Sequence, residues 1–235
     1  MKPCIPEPLP LKNLNWESFL PKLGKAHALL ARFDEKIPLT KQLIEDEAQI
    51  EKQNHLYALR EILKGPSISF ALMCKLHKIL KKDIATPWNL PFGKFRNRQN
   101  WIGKEGCTID KAYFVPPDPK AIPKYMKELK NYLSFKEKDP LVQLAIFFAQ
   151  FLIIHPFMDG NGRVGRILIP LFLHQKKLIS SPKFFMDAYI KKHRTVYFEK
   201  LFAITLKNDW EGWIDFFLTG IIETSMAALK QPSMR

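Results

Sequence analysis

Leu141–Arg166 reads LVQLAIFFAQFLIIHPFMDGNGRVGR, and its two halves obey different rules. From Leu141 to Ile154 only Gln143 and Gln150 are polar, so these fourteen residues are apolar on every side and must be wrapped by other elements. A bilayer crossing needs about 20 residues, so the segment reads as a central core helix rather than a membrane span. The second half, His155 to Arg166, packs a base, a carboxylate, a glycine-rich turn and two arginines into one loop. Gly160 and Gly162 reach backbone angles that other residues resist, so the amides of Gly160, Asn161 and Gly162 can turn toward one anion. A helix beginning at about Gly162 adds its free N–H groups and the positive end of its dipole. Arg163 and Arg166 then share one face, where two guanidiniums can grip successive phosphates. The reading is a phosphate-handling loop between two buried helices.

Outward from the loop, Val164, Ile167, Leu168, Leu171 and Phe172 recur at helical spacing, and Pro170 is expected to kink or shorten that helix. Helical patterns also cover Trp16 to Arg32, Leu39 to Lys64, Ser67 to Lys82 and Ile122 to Phe135. Met1 to Pro10 is proline-rich and reads as an extended arm, and a polar tail begins near Lys230. Apart from one hairpin flanked by residues 91–103 and Val115-Pro116-Pro117, no strand is expected, so the fold class is all-α. The 235 residues, 46% hydrophobic and 26% charged, are enough for one substantial core.

Taken singly, each loop residue has a plain structural use. His155 would cap a helix, Asp159 would form an Asx turn, Asn161 would take the left-handed region, and the arginines would face solvent. Phe157 anchors the loop to the core under either reading. Their order is what argues for chemistry: His155-Pro156-Phe157-Met158-Asp159-Gly160-Asn161-Gly162-Arg163-Val164-Gly165-Arg166 matches HPFxDGNGRxxR without a mismatch. That pattern resembles the motif of the Fic family, whose members transfer AMP from ATP to protein hydroxyls. The resemblance implies a Fic-type helical bundle built on a helix-loop-helix active site with a small β-hairpin flap. Residues 1–66 would be an N-terminal arm and helical region, and 67–235 the catalytic core with its closing helices.

By the same resemblance His155 is the general base that takes the proton of an incoming Ser, Thr or Tyr hydroxyl, a task suited to an imidazole with a pKa of about 6.5. Asp159 would supply one hard oxygen to Mg2+ shared with the phosphates of ATP, the co-substrate. Asn161, the amides of Gly160 and Gly162, and Arg163 would hold the α- and β-phosphates, and Arg166 the γ-phosphate. Attack at the α-phosphorus would leave AMP on the target protein, or on the enzyme itself, and release pyrophosphate.

Pro91-Phe92-Gly93-Lys94-Phe95-Arg96, the following Asn97-Arg98-Gln99-Asn100-Trp101-Ile102-Gly103 and Val115-Pro116-Pro117 resemble the family's flap. Asn100, Trp101, Ile102 and Gly103 would there position a target segment as an added strand. Tyr197, in a stretch resembling the nucleotide-side helix, would line the adenine pocket or pack as a buried aromatic. Relatives carry His and Glu where this chain has Phe148 and Leu152. Many also carry a regulatory [S/T]-x-x-x-E-[G/N] helix, whose Glu pairs with the second motif arginine. The nearest segment here, Lys41 to Asp46, breaks that pattern, so Glu45 is a degraded regulatory candidate and autoinhibition is expected to be weak.

The net charge is +14, and lysines cluster at Lys75, Lys78, Lys81 and Lys82, from Lys120 to Lys138, and at Lys176, Lys177, Lys191 and Lys192, with Arg194. Such a field attracts nucleic acid, but zinc spacing, RNA-binding aromatic signatures and a winged-helix segment are all missing, so the lysines read as solvated helix faces. Transfer of UMP, phosphate or phosphocholine, or removal of AMP, are alternatives within the same fold. Cys4, Cys74 and Cys107 have neither metal nor disulfide spacing, and no secretory signal precedes Trp16, which together suggest the cytoplasm. Delivery by a dedicated secretion system leaves no mark in such a sequence.

Overall fold

The computed structural model describes residues 2–37, 49–84 and 92–230. Helices α1 (Leu20–Lys36), α2 (Gln49–Leu63), α3 (Phe70–Leu80), α4 (Ile122–Ser134), α5 (Pro140–Ile154), α6 (Asn161–Gln175), α7 (Asp187–Lys192), α8 (Arg194–Lys207) and α9 (Trp210–Lys230) surround one continuous apolar core. The axis is α5. Every residue from Leu141 to Ile154 is buried, as its uniform apolarity requires. Packed against it are α4, α6, α8 and α9, while α1 runs along α9, and α2 and α3 pack on each other and on α6. None of the described helices is long and apolar enough to cross a membrane.

The starting signal of α5 is explicit: Asp139 accepts from the Leu141 amide at 2.7 Å, and Pro140 occupies the first turn, where its missing N–H costs nothing. Its two glutamines are both used. Gln143 donates to the carbonyls of Tyr132 and Phe135 at 2.7 and 2.8 Å, closing the α4–α5 connection. Gln150 donates to the Glu7 carbonyl at 2.7 Å and so ties the extended N-terminal arm to the core. The Trp213 indole N–H, wholly buried in α9, donates to the Ala145 carbonyl at 2.9 Å.

Three expectations need correction. Helix α6 is not shortened at Pro170 but continues to Gln175, because a segment buried from Ile167 to Leu173 is held by packing on all sides. Helix α1 begins at Leu20, after a short 3-10 turn at Trp16–Ser18. The β-hairpin is reduced, among the described residues, to a single antiparallel bridge between Ile102 and Phe114. Between these two, Gly106 turns at φ +72° and Ile109–Lys111 winds into a 3-10 turn, so the ladder does not propagate.

The approach of α6 to α5 is set by Gly165, where an added Cβ would lie 2.9 Å from the buried Phe148 ring. Gly165→Val should therefore lower unfolding free energy by about 2–3 kcal/mol through overpacking, read from the urea midpoint. An unchanged midpoint would mean that the two helices can separate freely.

Candidate active site

Helix α5 stops because His155 adopts left-handed backbone angles (φ 51°, ψ 59°) while its N–H still reaches the Phe151 carbonyl at 3.1 Å. The imidazole Nδ1 lies 3.2 Å from the Leu152 carbonyl, which can only accept, so Nδ1 carries the proton and Nε2 keeps its lone pair. Burial pushes the His155 pKa down to about 4, leaving a neutral imidazole at ordinary pH. Behind it, the buried Arg96 side chain donates through Nε to the His155 carbonyl at 2.8 Å and through Nη2 to the Pro117 carbonyl at 2.6 Å. Its own amide donates to the Pro156 carbonyl at 2.8 Å.

The loop is closed by Asn161, whose Oδ1 accepts from the Phe157 amide and whose Nδ2 donates to the Phe157 carbonyl, both at 2.8 Å. Gly160 sits at φ +79°, and a Cβ there would press on His77 and Lys81 at 3.4 Å. A Cβ on Gly162 would come 3.2 Å from the Arg166 Nη1, so the small residue lets that guanidinium fold back over the start of α6. Both ends of the Asn161 side-chain amide shape the loop, so what Asn161 offers an anion is its backbone N–H. The Gly160 N–H, expected among the donors to an anion, donates here to Asp159 Oδ1 at 2.6 Å. The first N–H of α6 with an acceptor inside the helix is that of Val164, on the Gly160 carbonyl at 3.0 Å. The preceding amides of Asn161, Gly162 and Arg163 therefore form the anion-seeking end of the helix.

Helix α3 supplies two residues that the motif does not announce. His77 is stacked flat on Phe157, with centroids 4.1 Å apart. Its Nδ1 accepts from the Gly93 amide at 2.8 Å, so Nε2 carries the proton and donates to the Asp159 carbonyl at 3.0 Å. One turn on, Lys81 is only 3% exposed and its ammonium lies 2.5 Å from Asp159 Oδ2. Lys81 is thus not part of a solvated lysine face. Its charge, outweighing the effect of burial, holds the Asp159 carboxyl below its usual range. The i, i+4 spacing of a histidine and a lysine was the available signal, and charge clustering concealed it.

Both motif arginines are paired. Arg163 Nη2 lies 2.5 Å from Glu51 Oε1 on α2, and Arg166 Nε lies 2.5 Å from Asp187 Oδ1 at the start of α7. The regulatory candidate Glu45 lies outside the described residues; the carboxylate seen on a motif arginine is Glu51. Tyr197 is 6% exposed and wedged among Phe198, Trp213 and Phe216, with no open face on which a base could stack, so its place is in the core. Of the flap residues, Asn100 donates to the Phe157 and Met158 carbonyls at 3.3 and 3.2 Å, joining flap to loop. Trp101 is half-exposed, with its indole N–H on the Cys107 carbonyl at 2.9 Å; Ile102 forms the bridge, and Gly103 faces the Cys107 sulfur.

The Fic/DOC family model matches residues 67–173, which contain this helix-loop-helix with its histidine at one end and its arginines at the other. A probable protein adenylyltransferase of Aquifex aeolicus is similar, 29% identical over 178 residues that cover 70% of this chain and 52% of that protein. A protein adenylyltransferase of Caenorhabditis elegans is 29% identical over 84 residues, 34% of this chain and 15% of its own length. The chain thus spans about half or less of these relatives. The crystal structure of a Fic family protein from Desulfovibrio desulfuricans has the same fold, with a TM-score of 0.66 at 20% identity over 93% of this chain and 67% of that one.

His55, His77 and His155 are each pushed down to about 4 by burial. A histidine with a depressed folded-state pKa takes its proton first in the unfolded chain, so stability is complete above about pH 6.5 and is lost as the pH falls toward 4. The melting temperature should be level at neutral pH and fall by more than about 10 °C between pH 6.5 and 4. A flat profile across that window would contradict three buried neutral imidazoles.

Proposed function

We propose that this protein is a protein adenylyltransferase, moving AMP from ATP to a Ser, Thr or Tyr hydroxyl of a target protein and releasing pyrophosphate. The observation that carries the reading is the state of His155: Nδ1 is spent on the Leu152 carbonyl, Nε2 is left as acceptor, and one short loop separates it from the amides and arginines of α6. The acceptor hydroxyl gives its proton to Nε2 as its oxygen bonds to the α-phosphorus. The bond from that phosphorus to the bridging oxygen breaks, and its electron pair leaves with pyrophosphate. The growing charge on the phosphate oxygens is met by the Asn161, Gly162 and Arg163 amides and by the two guanidiniums. A nearby anion also raises the basicity of a neutral imidazole, which suits His155 to receive the proton only when substrate is in place.

Among the described residues no three His, Cys, Asp or Glu side chains gather as a metal cage. Asp159, with a half-exposed carboxylate, fits a Mg2+ ion that takes its other oxygens from phosphates and water. Such an ion, when bound, supplies charge neutralisation along the triphosphate. The Lys81 ammonium makes Asp159 a weak lure for free cation, so the residues suit a metal arriving with the nucleotide.

Incubation with ATP labelled separately at the α- and γ-phosphates tests the reading. Label from the α-phosphate alone should appear on protein, with an AMP-sized adduct by intact mass, and His155→Ala should lower the rate by about a hundredfold or more. γ-Label on protein would mean phosphoryl transfer instead. Because Glu51 holds Arg163 in the nucleotide-free site, Glu51→Ala should tighten ATP binding by about fivefold in calorimetric titration. Weaker binding by that variant would show that Glu51 supports the site rather than competing for it.

A further inference from the structure

The region where α2 crosses α6 contains more unmet hydrogen-bonding capacity than its surroundings. His55 is 5% exposed, and its Nε2 has no partner among the described residues. Arg163 Nη1 and Asp187 Oδ2, also buried, have none either. Contacts across α2 and α6 bring these groups to one region: Glu51 of α2 is on Arg163, Asp187 is on Arg166, the charges of Asp187, Arg166 and Arg163 all act on the His55 imidazole, and Phe185 lies against its ring with centroids 6.3 Å apart. A buried polar atom left unpaired costs about 1–3 kcal/mol, so several together around two arginines mark a place completed by a ligand. One anion already sits there in part, since Glu51, one turn before His55 on α2, has its carboxylate on Arg163 Nη2.

Resting on the adenylyltransferase reading, we propose that His55 is a binding residue for the terminal phosphate of the nucleotide, donating through Nε2 once that phosphate has displaced Glu51 from Arg163. The order of groups supports it. On α6 the first-turn amides come first and the Arg163 and Arg166 guanidiniums follow at one-turn spacing, with α2 packed alongside and its Glu51 on Arg163. Glu51 and His55, four residues apart, lie on one face of α2, so a short lateral movement of the Glu51 side chain exchanges a carboxylate for a phosphate against the same guanidinium. His55 thereby distinguishes a triphosphate from a diphosphate, which the motif amides by themselves do not.

The experiment is the ratio of ADP to ATP dissociation constants, by calorimetric titration with Mg2+, for the wild type, His55→Leu and His55→Gln. A glutamine Nε2 can take the place of the imidazole donor; a leucine cannot. The proposal expects the ratio to fall about tenfold in His55→Leu, mostly through weaker ATP binding, and to stay within about threefold of wild type in His55→Gln. ADP affinity serves as the check that a variant is folded. Should His55→Leu fail to fold, a ratio kept by His55→Gln but reduced in His55→Ala gives the same answer. Equal weakening for both nucleotides, or an unchanged ratio in the variants without a donor, overturns the assignment of His55 while leaving the wild type a nucleotide binder. Wild-type protein that binds neither nucleotide overturns the adenylyltransferase reading, and the assignment of His55 with it.

Discussion

The two hydrogen bonds between the Asn161 side chain and the backbone of Phe157 are the constraint on which the rest of the site depends. They close the turn from Phe157 to Asn161 so that the end of one buried helix and the start of another are held together. With the loop closed, His155 terminates α5 in a left-handed conformation and Gly160 opens α6 in another. Phe157 is pinned beneath by His77, while Arg96 grips the carbonyls on the other side. Every bond in this frame is buried or half-buried, where a missing partner costs more than the bond contributes in water. The frame is therefore rigid, and a rigid frame is what fixed dipoles need in order to stabilise developing charge without reorganising.

Charges within the site are paired before any substrate arrives. Lys81 is matched to Asp159, Arg163 to Glu51 and Arg166 to Asp187. A nearly buried ammonium such as that of Lys81 would cost several kcal/mol if left alone, so its carboxylate partner belongs to folding as well as to chemistry. On the proposed function, ligand binding would be an exchange of anions against the same cations. The pairing keeps the site from presenting unopposed positive charge in a chain of net charge +14.

Much of this arrangement is legible in the chain because the central helix allows only one environment. A fourteen-residue segment with two glutamines has nowhere to go but the middle, and the glutamines found carbonyls there. The motif likewise announces its histidine, its glycines and its arginines by order alone. Partners far apart in sequence were hidden, because charge type does not reveal burial. Lys81 and Glu51 look like surface residues until α3 and α2 are folded against the loop. The use made of the Asn161 side chain was hidden too, because an amide suits a phosphate and a backbone equally well. Of the two readings of Tyr197, adenine-pocket residue or buried aromatic, the packing of Trp213 and Phe216 against its ring favours the second. The flap failed to form a ladder because turns at Gly106 and Ile109–Lys111 interrupt it, a competition that a resemblance carried by the flanking residues does not register.

The most direct test of the frame and its chemistry is a crystal structure with Mg2+ and α,β-methylene ATP. The triphosphate should lie against the amides of Asn161, Gly162 and Arg163, with the α-phosphorus the one nearest His155 Nε2 and the Glu51 carboxylate gone from Arg163. A nucleotide bound with its terminal phosphate toward His155, or seated away from the start of α6 with the Glu51–Arg163 pair intact, would contradict it.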